Sequence, residues 1–270
     1  MGSGTVSKTL KRLLAGSSAT APQPRVERAR PEIAVDPDCA YAIGDIHGCL
    51  DKLRQLEQAI VADATAIEGS KLLVYLGDYI DRGVASAAVI EHLLAPPPPG
   101  FNRVCLCGNH EEVLVDVLDG RRQIDDWLRF GGERTLLSYG YDIAYMSKHR
   151  RGGEAEALAR VVEAIPKRHA AFLRQLPSAF ATPSYFFAHA GIRPGLAAAE
   201  QRDDDLLWIR SPFVTDGAAG FGRLVIHGHT PQDGPVARDG RIGVDTGAYM
   251  GGPLTAVRLT ADGIAFLDDR

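Results

Sequence analysis

Residues 71–94 read KLLVYLGDYIDRGVASAAVIEHLL, and the order of the parts in this stretch decides the fold. The run Lys71–Leu76 has the length and apolar content of a buried strand. It ends in Gly77-Asp78-Tyr79-Ile80-Asp81-Arg82-Gly83, after which apolar residues return at helical spacing over Val84–Leu94. Charged side chains are costly to bury unless paired or metal-bound, so a charged cluster at a strand end marks a site. The same unit recurs on both sides. Ala40–Ile43 runs into Gly44-Asp45-Ile46-His47-Gly48, followed by Leu50, Leu53, Leu56 and Ile60 at helical spacing. Arg103–Cys107 runs into Gly108-Asn109-His110-Glu111 and a helix over Glu111–Leu118. This β-α-β-α-β order implies neighbouring parallel strands with right-handed crossovers. In such sheets ligands bind outside the carboxyl ends of the strands, where all three clusters lie.

From Tyr185 onwards the chain reads as strands: Tyr185–Ala188, Leu224–Ile226, Ile242–Val244, Leu254–Leu259 and Ile264–Leu267. Two of them end in His189-Ala190-Gly191 and His227-Gly228-His229-Thr230. A second sheet, mixed or antiparallel and packed on the first, would bring all five clusters to one edge. Residues 120–180 read as mostly helical, interrupted by Pro166, and carry no evident chemistry. Trp127 and Phe130 there read as packing aromatics in preference to the lining of a substrate groove. Residues 34–270 are expected to form one catalytic domain.

With 270 residues, 45% hydrophobic and 24% charged, the chain can bury a sizeable core. A net charge of −4 gives no global drive towards nucleic acid or anionic lipid. No apolar stretch approaches the ~18 residues of a membrane span. The four cysteines, Cys39, Cys49, Cys105 and Cys107, read as small buried hydrophobes in a reducing cytoplasm, with no disulfide framework. Residues 1–33 are basic over their first 31 positions, where Lys8, Lys11, Arg12, Arg25, Arg28 and Arg30 stand against Glu27. They are expected to be a disordered tail, an organellar presequence being the alternative. His92, His149 and His169 lie outside the clusters and read as solvated.

Carboxylates, imidazoles and an amide at five strand ends suit a two-metal hydrolytic centre with an open face for phosphate. Mixed oxygen and imidazole donors favour Mn, Fe or Zn over Ca. Asp45 and His47 alternate along one loop and can face one metal. Asp78 is the natural bridge, and Asn109, His189 and His229 complete the second metal. His227 and Asp245 are expected to support these ligands from behind. Each feature has a bland account when taken alone; Asp81-Arg82, for example, could be a surface ion pair worth ~0–1 kcal/mol. Five such strand-end coincidences together do not.

The motifs GDIHG, GDYIDRG and GNHE, with the later HAG and GHT, resemble the PPP-type metallophosphatases of the calcineurin-like superfamily, above all the compact bacterial and phage serine/threonine protein phosphatases. The likeness spans roughly residues 38–260. It implies a four-layer α/β/β/α sandwich, two mixed sheets flanked by helices. It also implies Asp78 as the bridging ligand and His229, rather than His227, as a ligand. It makes His110 the general acid, oriented by Asp81, with Arg82, Arg210, Asn109 and His110 around the substrate phosphate. A hydroxide bridging two metals, Mn by expectation, would attack phosphorus in line, with no phosphoenzyme. The expected substrate is a phosphorylated protein or peptide, carrying phosphoserine or phosphothreonine with phosphotyrosine as a further target, with no nucleic acid and no membrane. A diadenosine-tetraphosphate-type hydrolase is the alternative. Symmetrical hydrolases of that type commonly depart from the pattern at Asp81-Arg82-Gly83 and Asn109-His110-Glu111, which this chain keeps.

Overall fold

The computed structural model describes residues 27–142 and 154–270. Its strands are β1 (Cys39–Ile43), β2 (Lys71–Tyr75), β3 (Phe101–Cys105), β4 (Ala179–Ala181), β5 (Tyr185–Ala188), β6 (Leu224–His227), β7 (Val236–Arg238), β8 (Arg241–Gly243), β9 (Thr255–Thr260) and β10 (Gly263–Asp268). The helices are α1 (Leu50–Asp63), α2 (Ser86–Leu94), α3 (Asn109–Leu118), α4 (Ile124–Trp127), α5 (Glu133–Ser138), α6 (Glu154–Ala164), α7 (Lys167–Gln175), α8 (Asp203–Trp208) and α9 (Phe213–Asp216).

Two five-stranded mixed sheets result, ordered β10-β9-β1-β2-β3 and β4-β5-β6-β8-β7. In the first, β1, β2 and β3 are parallel, and β9 runs antiparallel to β1. In the second, β5, β6 and β8 are parallel. The expected four layers follow from the period of two along each strand. Ala40, Ala42, Leu72 and Val74 face Phe187, Ile226 and Ile242 between the sheets. Tyr41, Ile43, Leu73 and Tyr75 point the other way, onto Leu53, Leu56, Val89 and Val113 of the helices. On the far side, Phe186, Ala188 and Val225 meet Leu206 and Phe213.

Two expectations are corrected. Leu254–Leu259 and Ile264–Leu267 do not extend the second sheet; they return to β1 and close the edge of the first. Val257 and Leu259 thereby enter the layer between the sheets. The second correction concerns the basic tail, of which residues 1–26 lie outside the described residues. The segment from Arg28 is bonded to the body. The Arg28 side chain donates to the carbonyls of Leu173, in the last turn of α7, and Leu176, just past it, and the Arg28 backbone N–H and the Arg30 guanidinium share the carboxylate of Asp203 at the start of α8. Pro31 and Ile33 bond both ways with Ala181, covering the exposed edge of β4. Local charge predicted a solvated tail because the partners lie about 145 to 175 residues away in sequence.

His169 is likewise buried, between Tyr139 and Glu91, and His92 is hydrogen-bonded to Glu57; His149 lies outside the described residues. Among the described residues, no helix is long and apolar enough to cross a membrane.

Asp203→Ala leaves unmade the two charge-assisted bonds that hold the Arg28–Ile33 segment, here called the strap, and should lower stability by about 1–3 kcal/mol. Urea unfolding should show a lower midpoint at unchanged slope; an unchanged midpoint would mean that the strap is not held by this carboxylate.

Candidate metal centre

The six parallel strands point their carboxyl ends to one side, and each delivers part of the site. Asp45 and His47 follow β1, Asp78 follows β2, Asn109 and His110 follow β3, His189 follows β5, His229 follows β6 and Asp245 follows β8. Together with Arg82, Phe130, Trp208, Arg210, Pro231 and Tyr249 most of these line one cleft of about 580 Å³. His189 lies directly behind it, fully buried.

The loops leave the strands through backbone that side chains rarely adopt. Among the described residues, six other than glycine have left-handed φ, and five belong here: His47, Asp78, Asp81, Arg82 and His229, with φ between 45° and 68°. Such conformations cost of order 1–3 kcal/mol each and persist only where surrounding bonds over-determine them. Glu111 supplies much of that restraint. Its fully buried carboxylate accepts the backbone N–H groups of Asp78 (2.8 Å), Tyr79 (2.8 Å), Ile80 (3.3 Å) and Gly108 (2.8 Å). The β2 and β3 loops are thereby tied to each other. Across the sheets, the Asp45 carboxylate accepts the His229 N–H at 3.0 and 3.2 Å. A Cβ on Gly228 would lie 2.1 Å from an Asp45 oxygen, so only glycine lets the β6 loop approach this closely.

The imidazoles show what this arrangement suits. A carbonyl oxygen only accepts, so each ring nitrogen facing one must carry the proton. His47 Nδ1 faces the Ile80 carbonyl at 2.8 Å, His189 Nδ1 faces that of Leu76 at 2.9 Å, and His229 bonds to that of Trp208. The remaining nitrogens of the neutral rings are therefore bare. His189 Nε2 and His229 Nδ1 lie 3.2 Å apart, and both face the Asn109 Oδ1, at 2.9 and 3.0 Å. The amide assignment that fits is the oxygen turned inward. Asp78 Oδ1 stands 3.5 Å from His189 Nε2, while its Oδ2 stands 3.4 Å from His47 Nε2. Lone pairs thus converge on two points on either side of Asp78, with no proton to share. Cations satisfy such points, and these mixed nitrogen and oxygen donors fit two divalent ions with Asp78 between them.

Charge tells the same story. Burial pushes Asp45 and Asp78 well above the usual carboxylate range, with repulsion from Asp245 on Asp45 and from Asp45 on Asp78 adding to it. Burial pushes Glu111 up to about 7, against its backbone hydrogen bonds. The histidines move the other way. Burial and the nearby His110 push His47 down, burial and His229 push His189 down, and burial with the Arg210 charge takes His229 to about 3. A cation at the centre favours the ionised carboxylates and the neutral imidazoles alike.

His110 differs from the other three. Its Nδ1 faces not a carbonyl but the carboxylate of Asp81, at 2.8 Å, while its Nε2 stands 3.9 Å from Asp78. Burial, helped by the Arg82 charge, takes His110 down to about 3, and burial takes Asp81 up to about 7. Their contact opposes both shifts, because the ionised pair attracts.

Every expected ligand, clamp and acid residue is thus brought to the cleft or its floor. The two supporting residues are not placed as expected. His227 turns away: its Nδ1 donates to the Gly228 carbonyl, its Nε2 accepts from the buried Arg241, and its ring packs on Phe213. The apolar layer outside the second sheet claims the ring, since alternation along β6 points it there. Asp245 lines the cleft itself and accepts the Gly247 N–H at 3.0 Å.

The aromatic wall was legible only in part. Phe130, Trp208 and Tyr249 stand at the opening, with Phe130 edge-on to Trp208 (5.8 Å) and to His110 (5.5 Å). The Tyr249 hydroxyl receives a 2.9 Å bond from Arg82. Trp208 donates to the buried Glu112 at 2.7 Å.

Adding Mn²⁺ should raise the Tm of the protein, because a ligand held only by the folded state stabilises it. Asp78→Asn should remove most of that rise, weakening affinity by more than the roughly 10–100-fold that losing an outer partner costs. An undiminished metal-dependent shift in the variant would exclude Asp78 as a ligand.

Comparison with known proteins places this site in a family. Residues 40–248 match the calcineurin-like phosphoesterase family. The chain is 27% identical over 233 residues to the asymmetrical bis(5'-nucleosyl)-tetraphosphatase PrpE of Bacillus subtilis, covering 80% of this chain and 88% of that protein. It is 26% identical over 264 residues to the symmetrical bis(5'-nucleosyl)-tetraphosphatase of a Janthinobacterium species, covering 82% and 92%. Its fold is similar to that of a cold-active protein tyrosine phosphatase, at a TM-score of 0.59 and 19% identity over 90% of this chain and 81% of the other. The convergence of strand ends on a polar centre and the match across most of the sequence give one conclusion: the chain belongs to the calcineurin-like phosphoesterases and is a phosphoester hydrolase.

Proposed function

We propose that this enzyme cleaves a phosphoanhydride bond of a dinucleoside polyphosphate, of which diadenosine tetraphosphate is the model substrate. The observation that carries this reading is the wall of Phe130, Trp208 and Tyr249 standing over a cleft that also presents Arg82 and Arg210. Such a site offers flat apolar faces for a base beside cationic forks for phosphate oxygens. The tetraphosphatase relatives that cover four fifths of the chain support the same substrate class. The order of the two readings made from the motifs is therefore reversed: the phosphoprotein substrate comes second.

In this mechanism Asp45, His47, Asp78, Asn109, His189 and His229 would hold two divalent cations. When bound, such cations supply Lewis-acid charge and make water a nucleophile near neutral pH. The protein's own groups do the rest. Arg82 and Arg210 fix the phosphoryl oxygens and offset their growing charge, which is the main demand of phosphoryl transfer. Tyr249 presets Arg82 through its hydroxyl and its ring, 5.0 Å from the guanidinium. His110 gives its Nε2 proton to the departing oxygen. Its backing separates it from the three ligand histidines. A backbone carbonyl behind a ring suits a neutral donor to metal, whereas the Asp81 carboxylate behind His110 can sustain an imidazolium.

That dyad is also the one observation favouring a phosphoserine or phosphothreonine substrate. An alkoxide leaving group needs a proton far more than a departing nucleotide does. The two readings separate in one assay of the Mn²⁺-loaded enzyme on diadenosine tetraphosphate and on a phosphothreonine peptide. The dinucleotide should be the better substrate by kcat/KM. Trp208→Ala should then raise its KM by roughly 5-fold or more, since a stacked base is worth ~1–3 kcal/mol, with a smaller effect on p-nitrophenyl phosphate. A preference for the peptide, with Trp208→Ala affecting all substrates alike, would replace the nucleotide reading with the phosphoprotein one.

A further inference from the structure

The helical region after α3, which carries no evident chemistry in the sequence, closes over the His110–Asp81 pair from three sides. Trp127, at the end of α4, donates its indole N–H to Asp81, 3.1 Å from both carboxylate oxygens. Thr135, on α5, donates its hydroxyl to Asp81 Oδ1 at 2.7 Å and accepts the Asp81 backbone N–H at 2.8 Å. A single hydroxyl thus grips both the side chain and the left-handed backbone (φ 68°) of the same residue. Trp127, Thr135 and Asp81 are all fully buried.

The chain between α4 and α5 is shaped for this contact. It kinks at Gly131 (φ 100°), whose carbonyl accepts the Arg82 N–H. Gly132 lies flat on the indole: a Cβ there would fall 2.4 to 2.7 Å from three Trp127 ring atoms. Between them Phe130 comes out over His110. Both lone-pair regions of the Asp81 carboxylate are consequently fixed, and its Oδ2 can meet His110 Nδ1 in one orientation only.

The geometry points to Trp127 and Thr135 as positioning residues of the general acid: they lock the Asp81 carboxylate and thereby aim His110 Nε2 at the departing oxygen. This rests on the reading of His110 as the acid. Neither residue touches the cleft, so their action passes through Asp81. Hydrogen-bond donors at fixed distances hold a carboxylate far better than packing alone, and a proton donor displaced by a fraction of an ångström loses much of its effect.

The test uses the full chain loaded with Mn²⁺ and two esters that differ in leaving group, phenyl phosphate and p-nitrophenyl phosphate. Thr135→Val and Trp127→Phe remove the donors and keep the shapes. Each should lower kcat on phenyl phosphate by on the order of tenfold, a part of the 10²–10⁴-fold that a general acid contributes. On p-nitrophenyl phosphate, whose leaving group hardly needs a proton, the loss should stay below about twofold, and KM should not move. Thr135→Ser, which keeps the hydroxyl, should restore the phenyl phosphate rate. In metal-free protein the His110 Nδ1 proton, bonded to Asp81, should shift in the nitrogen-edited NMR spectrum of Thr135→Val. His110→Asn is run beside these variants. If it is leaving-group-dependent while Thr135→Val and Trp127→Phe lose both substrates equally or not at all, the positioning role is wrong and the acid stands. If His110→Asn itself loses both substrates equally, the acid reading fails and takes the positioning role with it. Should Trp127→Phe fail to fold, Thr135→Val against Thr135→Ser decides alone.

Discussion

The site depends first on one carboxylate that never meets the substrate. Glu111 opens helix α3 and accepts N–H groups from two different loops, three from the stretch Asp78–Ile80 and one from Gly108. Each of those groups would otherwise be a buried donor without a partner, at about 1–3 kcal/mol apiece. Once they are bonded, Asp78 and Asn109 are held at a fixed separation, and His110 N–H is aimed at Asp78 Oδ1 (3.1 Å). The second sheet is joined to this frame where the His229 N–H reaches Asp45. Of these two carboxylates bonded to backbone, Glu111 thus ties the loops of the first sheet to each other, and Asp45 stitches that sheet to the second at their polar end.

That frame concentrates charge where a protein has least means to solvate it. Asp45, Asp78 and Asp245 repel one another, while the surrounding imidazoles are already committed to backbone carbonyls. The only cations of the chain lining the cleft, among the described residues, are Arg82 and Arg210, and both lie at its exposed rim. The exposed guanidinium groups of Arg82 and Arg210 can meet an anion from outside, since neither is paired with the carboxylates beneath them, which suit metal ions. One division of labour therefore runs from floor to mouth, with negative groups below for cations and positive groups above for phosphate.

Much of this was legible in the chain itself, for definable reasons. Strand ends such as Tyr75 before Gly77-Asp78 and Cys105 before Gly108-Asn109 announce themselves through a change from apolar period to polar cluster. Their convergence follows from parallel pairing alone. What stayed hidden depends on distant partners. Arg28 and Arg30 look solvated until Asp203 is brought against them. Val257 reads equally well in either sheet, because a short apolar strand carries no sign of its neighbour. His227 stands in the same motif as His229, yet alternation along β6 sends its ring to Arg241 and Phe213. Trp127 and Thr135 gave no local signal at all, since a buried tryptophan in a helical stretch is ordinarily just core. Only the indole N–H, pointed at Asp81, distinguishes it.

The left-handed backbone at His47, Asp78, Asp81, Arg82 and His229 has a bearing on how this enzyme can change. β-Branched and bulky side chains resist that conformation, while asparagine, aspartate and glycine tolerate it. The range of residues that variation can sample at these five places is narrowed by the main chain before chemistry has any say. A library of replacements there would record two penalties in one number, the lost function and the disfavoured turn. Asparagine and glycine replacements separate them, and the paths open to a new metal or a new substrate run preferentially through those two residues.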